Sequence, residues 1–180
     1  GRFNVENGLA AIAASAHAGV TPQVAADALR DFSPVKRRLE IKSQAHGVTI
    51  YDDFAHHPTA IAKTIQALRQ SGRHKRIKVV LEFASYTMKT GVHGSSIDKA
   101  LEQADTTLIL NPAQFDLVNL AKDWACSYRI LPSTQAIIDT LMQDIQLGDA
   151  ILIMSNRGFD NIHHELTMAV DLHYCKLLNQ

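Results

Sequence analysis

The sequence predicts an α/β fold: a Rossmann-like, mainly parallel sheet with helices on both faces and an N-terminal β-hairpin, preceded by two helices. Three observations predict it. From about residue 39 onward, short β-branched segments alternate with helical ones, and that alternation requires right-handed crossovers between parallel strands. Two of the strand segments, residues 107–110 and 150–154, are mostly apolar, as strands covered on both faces are. Before residue 33 only helical periodicity occurs.

In chain order, Leu9, Ala10, Ile12, Ala13 and Ala16 recur at helical spacing in an Ala-rich run, and Gly19 follows as a C-cap. Thr21 and Pro22 read as N-cap and first residue of a second helix through Leu29. Ser33 before Pro34 halts it, because a residue preceding proline avoids the α region. A boundary is expected here, with residues 1–32 the tail of one domain and 33–180 a second domain. Residues 39–42 and 48–51 alternate with period two around Ala45, His46 and Gly47, which predicts a hairpin. Pro58 opens a helix to about Gln70, with Ile61, Ile65 and Leu68 on one face. A strand over 77–82 and a helix capped by Ser95 or Ser96 follow, then a strand over 107–110 and a helix from Pro112. A strand over 128–131, a helix from Ser133 to about Ile145, a strand over 150–154 and a helix from Phe159 to Leu172 complete the reading.

Of 180 residues, 46% are hydrophobic and 20% charged, which suits a globular core and argues against disorder. Lys plus Arg is 18 and Asp plus Glu is 18, so the basic excess of a nucleic-acid binder is missing and no such partner is expected. Cys126 and Cys175 lack metal-ligand spacing and read as reduced thiols of a cytoplasmic protein. No apolar run approaches the roughly 18 residues of a membrane span, so no membrane partner is expected. The start at Gly1 carries no signal-peptide pattern and no initiator Met, and is expected to lie inside a longer protein.

Ligands of such sheets bind beyond the carboxyl ends of strands. The richest segment there holds Asp52, Asp53, His56 and His57, between a strand end and a helix N-terminus suited to phosphate. The carboxylates can accept from sugar hydroxyls or help to hold magnesium, and the imidazoles can donate to phosphate. Equally, the aspartates can cap the helix and the histidines can be plain loop residues. Zinc is disfavoured, because adjacent histidines seldom serve one ion and no third ligand is near. Lys36, Arg37 and Arg38 offer phosphate contacts or form a solvated linker. Asn4 and Asn7 share a helix face and suit an adenine edge, or Asn4 is a simple cap. Polar loops follow two strands, at residues 83–89 and 155–158. His17, His46 and His74 read as surface positions, and His163, His164 and His173 as solvated helix positions, with His163 lining a site as the alternative. Neither G-x-x-x-x-G-K-[ST] nor G-x-G-x-x-G occurs, so the main phosphate cradle for any ATP must come from elsewhere.

Taken together, Gly-x-Phe-Asn-x-x-Asn-x-Leu-Ala-Ala from Gly1, Val-Lys-Arg-Arg-x-Glu from Val35 and Asp-Asp-Phe-Ala-His-His-Pro-Thr-Ala-Ile from Asp52 resemble the ATP-dependent Mur ligase superfamily. Thr87-Met88-Lys89 with Gly91-Val92-His93, and Ser155-Asn156 with Gly158-Phe159 and Ile162-His163, resemble its peptidoglycan-recycling branch. The resemblance implies three domains, of which this chain would hold the tail of the central ATPase and the whole C-terminal domain. The phosphate loop, magnesium ligands and modified lysine would lie upstream, and this polypeptide alone would be inactive. The implied cofactors are ATP and Mg2+. The implied substrates are UDP-N-acetylmuramate and the tripeptide L-Ala-γ-D-Glu-meso-diaminopimelate, joined through an acyl phosphate. Position by position, Asn4 and Asn7 match adenine contacts, Arg38 an ATP-phosphate contact, Asp53 a ribose contact and His56 a phosphate-proximal catalytic histidine. Ser85, Thr87, Lys89 and Asn156 fall where the tripeptide would dock. The chain departs from the pattern at Phe83 and Ala84, where relatives usually carry Pro-Arg, and at Arg157, Asp160 and Asn161, where they are richer in glycine. Two other readings are a stand-alone nucleotide or muropeptide binding module, which a start codon just before Gly1 would favour, and a histidine-dependent metallohydrolase, which metal analysis would test.

Overall fold

A computed structural model of the chain describes residues 2–33, 35–82, 94–111 and 121–178. The chain divides into two compact units, Gly1–Lys36 and Arg37–Gln180, where the sequence places a boundary near residue 33. In the first unit, α1 (Arg2–His17) and α2 (Pro22–Ala28) are followed by a 3₁₀ turn, Leu29–Asp31, so α2 stops short of the expected Leu29. Thr21 caps α2, its Oγ1 accepting the Val24 N–H at 3.5 Å. No residue of α1 is buried, and Leu9 of the expected apolar face is 61% exposed. A helix pair alone has too little surface to enclose a core.

The second unit runs β1 (Glu40–Ala45), β2 (Val48–Asp53), α3 (Pro58–Ser71), β3 (Arg76–Glu82), α4 (Gly94–Leu101) and β4 (Thr106–Leu110). It continues β5 (Tyr128–Leu131), α5 (Thr134–Gln143), β6 (Asp149–Met154) and α6 (Ile162–Leu178). The sheet order is β1-β2-β6-β3-β4-β5, with β1 antiparallel to β2 and the other pairs parallel. The hairpin turns at His46 (φ 52°) and Gly47 (φ 71°), and positive φ at both positions is what a two-residue loop matched to strand twist demands.

Alternation of side chains sends neighbouring strand residues to opposite faces, so the sheet has two cores. Tyr51, Val79, Leu81, Ile109 and Leu152 meet Ile61, Ile65 and Leu68 of α3 and Ile97 and Leu101 of α4. Ile50, Val80, Leu108, Ile151 and Ile153 meet Ile137 and Leu141 of α5 and Ile162, Leu166 and Val170 of α6. Each fully buried Ile or Leu contributes roughly 1.5–3 kcal/mol relative to exposure. Central β6 is buried along its whole length.

Several boundaries differ from the sequence reading. Ser95 and Ser96 lie within the first turn of α4, which begins at Gly94, so they are not its caps. Ser133 does cap α5, accepting the Ala136 N–H at 3.2 Å, but that helix ends at Gln143. Phe159–Asn161 is not helical in the right-handed sense: its three residues have φ of 50°, 44° and 59°, and α6 starts after them. The helix expected from Pro112 lies outside the described residues.

At the amino edge of the sheet, fully buried Asp149 accepts from Arg76 Nε and Nη2, each at 2.8 Å, with Lys78 Nζ 3.4 Å away. Asp144 completes the network, 3.0 Å from Lys78 Nζ and 3.2 Å from Arg76 Nη1. Two acids balance two bases, which keeps buried charge tolerable and ties the starts of β3 and β6.

Candidate functional site

At the opposite edge, the carboxyl ends of β2, β6 and β3 lie side by side, because the last strand in sequence inserts between the second and third. Ser155, just past β6, joins its neighbours: its N–H donates to the Asp53 carbonyl at 3.2 Å, and its hydroxyl donates to Glu82 at the end of β3. Its Oγ also accepts the Arg157 N–H at 2.9 Å.

Onto this rim folds the lead-in to β1. Arg37 (φ 58°) and Leu39 (φ 49°) are both left-handed, a conformation that costs an L-residue roughly 1–2 kcal/mol. The cost is offset by a dense set of bonds. The Arg37 N–H donates to Glu40 Oε2 at 2.8 Å, and its carbonyl accepts the Phe54 N–H at 2.9 Å. Its guanidinium donates through Nε to Asp52 Oδ2 at 3.2 Å and through Nη2 to the Ser155 carbonyl at 2.6 Å. The Leu39 N–H donates to Asp53 Oδ2 at 2.8 Å, while Asp53 Oδ1 accepts the Ala55 N–H at 2.8 Å.

Both aspartates are buried, and their neighbours push them apart. Burial opposes the charge on Asp52, but His163 and Arg37 outweigh it and hold its carboxyl below the usual range. Burial raises Asp53 more than the amides of Leu39 and Ala55 and the charge of Arg38 lower it. The reading of these carboxylates as magnesium or sugar ligands meets a plain geometric fact: Asp52 is taken by an arginine and a histidine, and each oxygen of Asp53 by an amide.

What faces outward is different. Arg38 is exposed and makes no hydrogen bond or ion pair among the described residues; its Cζ stands 6.0 Å from the Phe54 ring centroid. The His56 ring meets the same Phe54 ring edge-on, with centroids 5.3 Å apart and planes at 87°. His56 Nδ1 lies 2.9 Å from the Phe54 carbonyl. A carbonyl only accepts, so Nδ1 carries the proton and Nε2 is left for another group, to which it donates when the ring is protonated. His57 caps α3, its Nδ1 accepting the Thr59 N–H at 3.4 Å. The rim thus presents a guanidinium, an imidazole and a helix N-terminus together, a set suited to an anion with several oxygens.

Of the residues singled out by sequence, Arg38, Asp53 and His56 come together here. Asn156 lies two residues past the end of β6, its Oδ1 buried with no hydrogen-bond partner among the described residues. Asn4 and Asn7 are exposed on α1 in the other unit. Ser85, Thr87 and Lys89, with Phe83 and Ala84, lie outside the described residues. Sequence reasoning missed the anchoring of Arg37, the aromatic hub at Phe54 and the Ser155–Glu82 bond. It also favoured a solvated His163 over one lining a site, whereas its side chain is 14% exposed and Nε2 lies 3.2 Å from Asp52 Oδ1, a charge-dependent contact rather than a well-directed hydrogen bond. His74 likewise is not a plain surface residue, since its Nε2 lies 2.9 Å from the Tyr51 hydroxyl.

The family described as "Mur ligase, glutamate ligase domain" matches residues 37–157. The chain belongs to the Mur ligase family. The match to this Mur ligase domain begins at Arg37, where the second compact unit begins. Over 169 residues the chain is 43% identical to the UDP-N-acetylmuramate–L-alanyl-γ-D-glutamyl-meso-2,6-diaminoheptandioate ligase of Escherichia coli, covering 92% of this chain and 37% of that protein. The crystal structure of a murein peptide ligase from Psychrobacter arcticus aligns with a TM-score of 0.74 at 36% identity, over 94% of this chain and 37% of that one. A crystallised domain assigned to the same kind of ligase in Haemophilus ducreyi aligns with a TM-score of 0.61 at 36% identity, over 73% of this chain and 98% of that one. The chain therefore spans little more than a third of the full-length Mur ligases it matches.

Proposed function

We propose that the chain is the C-terminal portion of an ATP-dependent ligase of peptidoglycan recycling in the cytoplasm. The whole enzyme would join UDP-N-acetylmuramate to L-Ala-γ-D-Glu-meso-diaminopimelate. Residues 37–180 would bring the amine substrate and close over ATP. The observation that carries this reading is the pairing of Arg38 and His56 on one aromatic ring beside a helix N-terminus. The identity to ligases of that specificity supports the choice of substrates.

In such a reaction a carboxylate oxygen of UDP-N-acetylmuramate attacks the γ-phosphorus of ATP, and ADP leaves. The tripeptide amine then attacks the acyl carbon, loses its proton, and phosphate leaves. Positioning and charge stabilisation dominate such transfers. Arg38 would hold phosphate oxygens in its planar fork, and His56 would donate from Nε2. Asp53 would serve from beneath, fixing Leu39 and Ala55, with any ribose contact made at its remaining lone pairs. Asn4 and Asn7 would meet adenine; Ser85, Thr87, Lys89 and Asn156 would meet the tripeptide. Magnesium would neutralise phosphate charge, but no group of side chains among the described residues is disposed to hold it. We assign its ligands to the remainder of the enzyme, which would also be the partner of this segment.

The test uses the protein translated from the complete reading frame. ADP release should depend on both substrates. Arg38→Ala should lower kcat/KM about ten- to a hundredfold, the worth of a charge-assisted hydrogen bond of about 1.5–3 kcal/mol, without unfolding the domain. Ligation at the unaltered rate would remove Arg38 from the site.

A further inference from the structure

We propose that Arg37 is a positioning residue whose task is to present Arg38 to the anion; this rests on the reading of Arg38 as a phosphate contact. The two arginines are neighbours with opposite surroundings. Arg37 is half-buried, and its guanidinium donates to the Asp52 carboxylate and the Ser155 carbonyl. Arg38 is exposed and unbonded among the described residues.

The backbone explains why one serves the other. Left-handed residues on both sides of Arg38 turn the chain so that Leu39 packs against the core and Arg38 stands outside it. Such strain persists only where surrounding bonds over-determine it. Four of those bonds belong to Arg37: its N–H to Glu40, its carbonyl from Phe54, and its guanidinium to Asp52 and to Ser155. Through Asp52 it grips β2, and through Ser155 it grips the end of β6. Its Cζ also lies 5.2 Å from the Phe54 ring, the ring that Arg38 and His56 share. Releasing Arg37 would therefore free the turn that aims Arg38 and loosen the platform beneath it. Lysine cannot substitute, because one ammonium lacks the planar fork that spans a carboxylate and a carbonyl.

The 180-residue chain tests this by NMR titration with inorganic tripolyphosphate. Arg37→Lys should weaken binding about three- to tenfold, the cost of ordering one long side chain that was previously held. It should also move the Arg38 side-chain resonances, because the Arg38 Cζ would leave the position 6.0 Å from the Phe54 centroid. Added to Arg38→Ala, it should cost nothing further. Asp52→Asn, which keeps the shape and removes the charge Arg37 grips, should reproduce the loss if Arg37→Lys proves unfolded in a thermal melt. Unmoved Arg38 resonances, or effects of Arg37→Lys and Arg38→Ala that simply add, would overturn the positioning role alone. Tripolyphosphate binding untouched by Arg38→Ala would overturn the phosphate reading together with it.

Discussion

Asp52 and Asp53 are consecutive and buried, yet pH acts on them in opposite senses. Asp52 has a folded-state value below its unfolded one, so the stability it adds is present above about pH 3.9 and fades as pH falls through its depressed value. Asp53 is raised, so its contribution is full below the ordinary carboxyl value and fades as pH rises through its elevated one. Asp52→Asn should lower stability near neutrality by about 2 kcal/mol, because Arg37 loses its counter-charge while half-buried. The wild-type and variant curves should converge as the medium is acidified below about pH 4. Urea melts across that range would decide it, and a constant gap at all pH values would refute the assignment. The sequence marked both aspartates as ligand candidates on residue type and place. It could not show that an arginine 15 residues earlier and a histidine on the last helix occupy one of them, since those contacts exist only once the sheet has formed.

Elements legible from periodicity are the strands, the hairpin and the faces of α3 and α5, where apolar spacing alone decides. Less legible are element ends, which depend on single caps. His57 is an unusual cap for α3 and Gly94 starts α4 without a side chain to signal it. The turn Phe159–Asn161 was hidden for another reason. Its apolar first residue looks like the start of a helix, but Phe159 is buried and left-handed. Aspartate and asparagine tolerate that region better than other L-residues, which suits Asp160 and Asn161 to their positive φ. Asp160→Gly should therefore change stability by no more than about 0.5 kcal/mol, while Asp160→Val should cost about 1–2 kcal/mol. Chemical denaturation reads both, and an equal loss in the two variants would contradict a backbone origin. At the other edge, Asp149→Asn should cost about 3–5 kcal/mol by leaving Arg76 and Lys78 with a charge deficit in a buried network. A loss under about 1 kcal/mol would show that Asp144 alone suffices.

At the scale of the whole molecule, both cores lie within residues 37–180, and no residue of α1 is fully buried. A polypeptide of residues 37–180 should melt cooperatively within a few degrees of the intact chain by calorimetry; a large drop would mean that the first 36 residues stabilise the sheet. The overall plan was readable because it repeats a simple alternation. The convergence of Arg38 and His56 was readable only through the resemblance to Mur ligases, since no local pattern brings residues 38 and 56 onto one ring. The order of the sheet has a further meaning for biosynthesis. β6 is the last of the six described strands to be made but the one that separates β2 from β3. Until it arrives, those two strands each show an open edge, and pairing between distant segments is slow. The nascent chain is thus most prone to stick to its neighbours just before residue 154 emerges, and a stall or premature stop in that stretch would yield aggregate rather than a smaller folded protein.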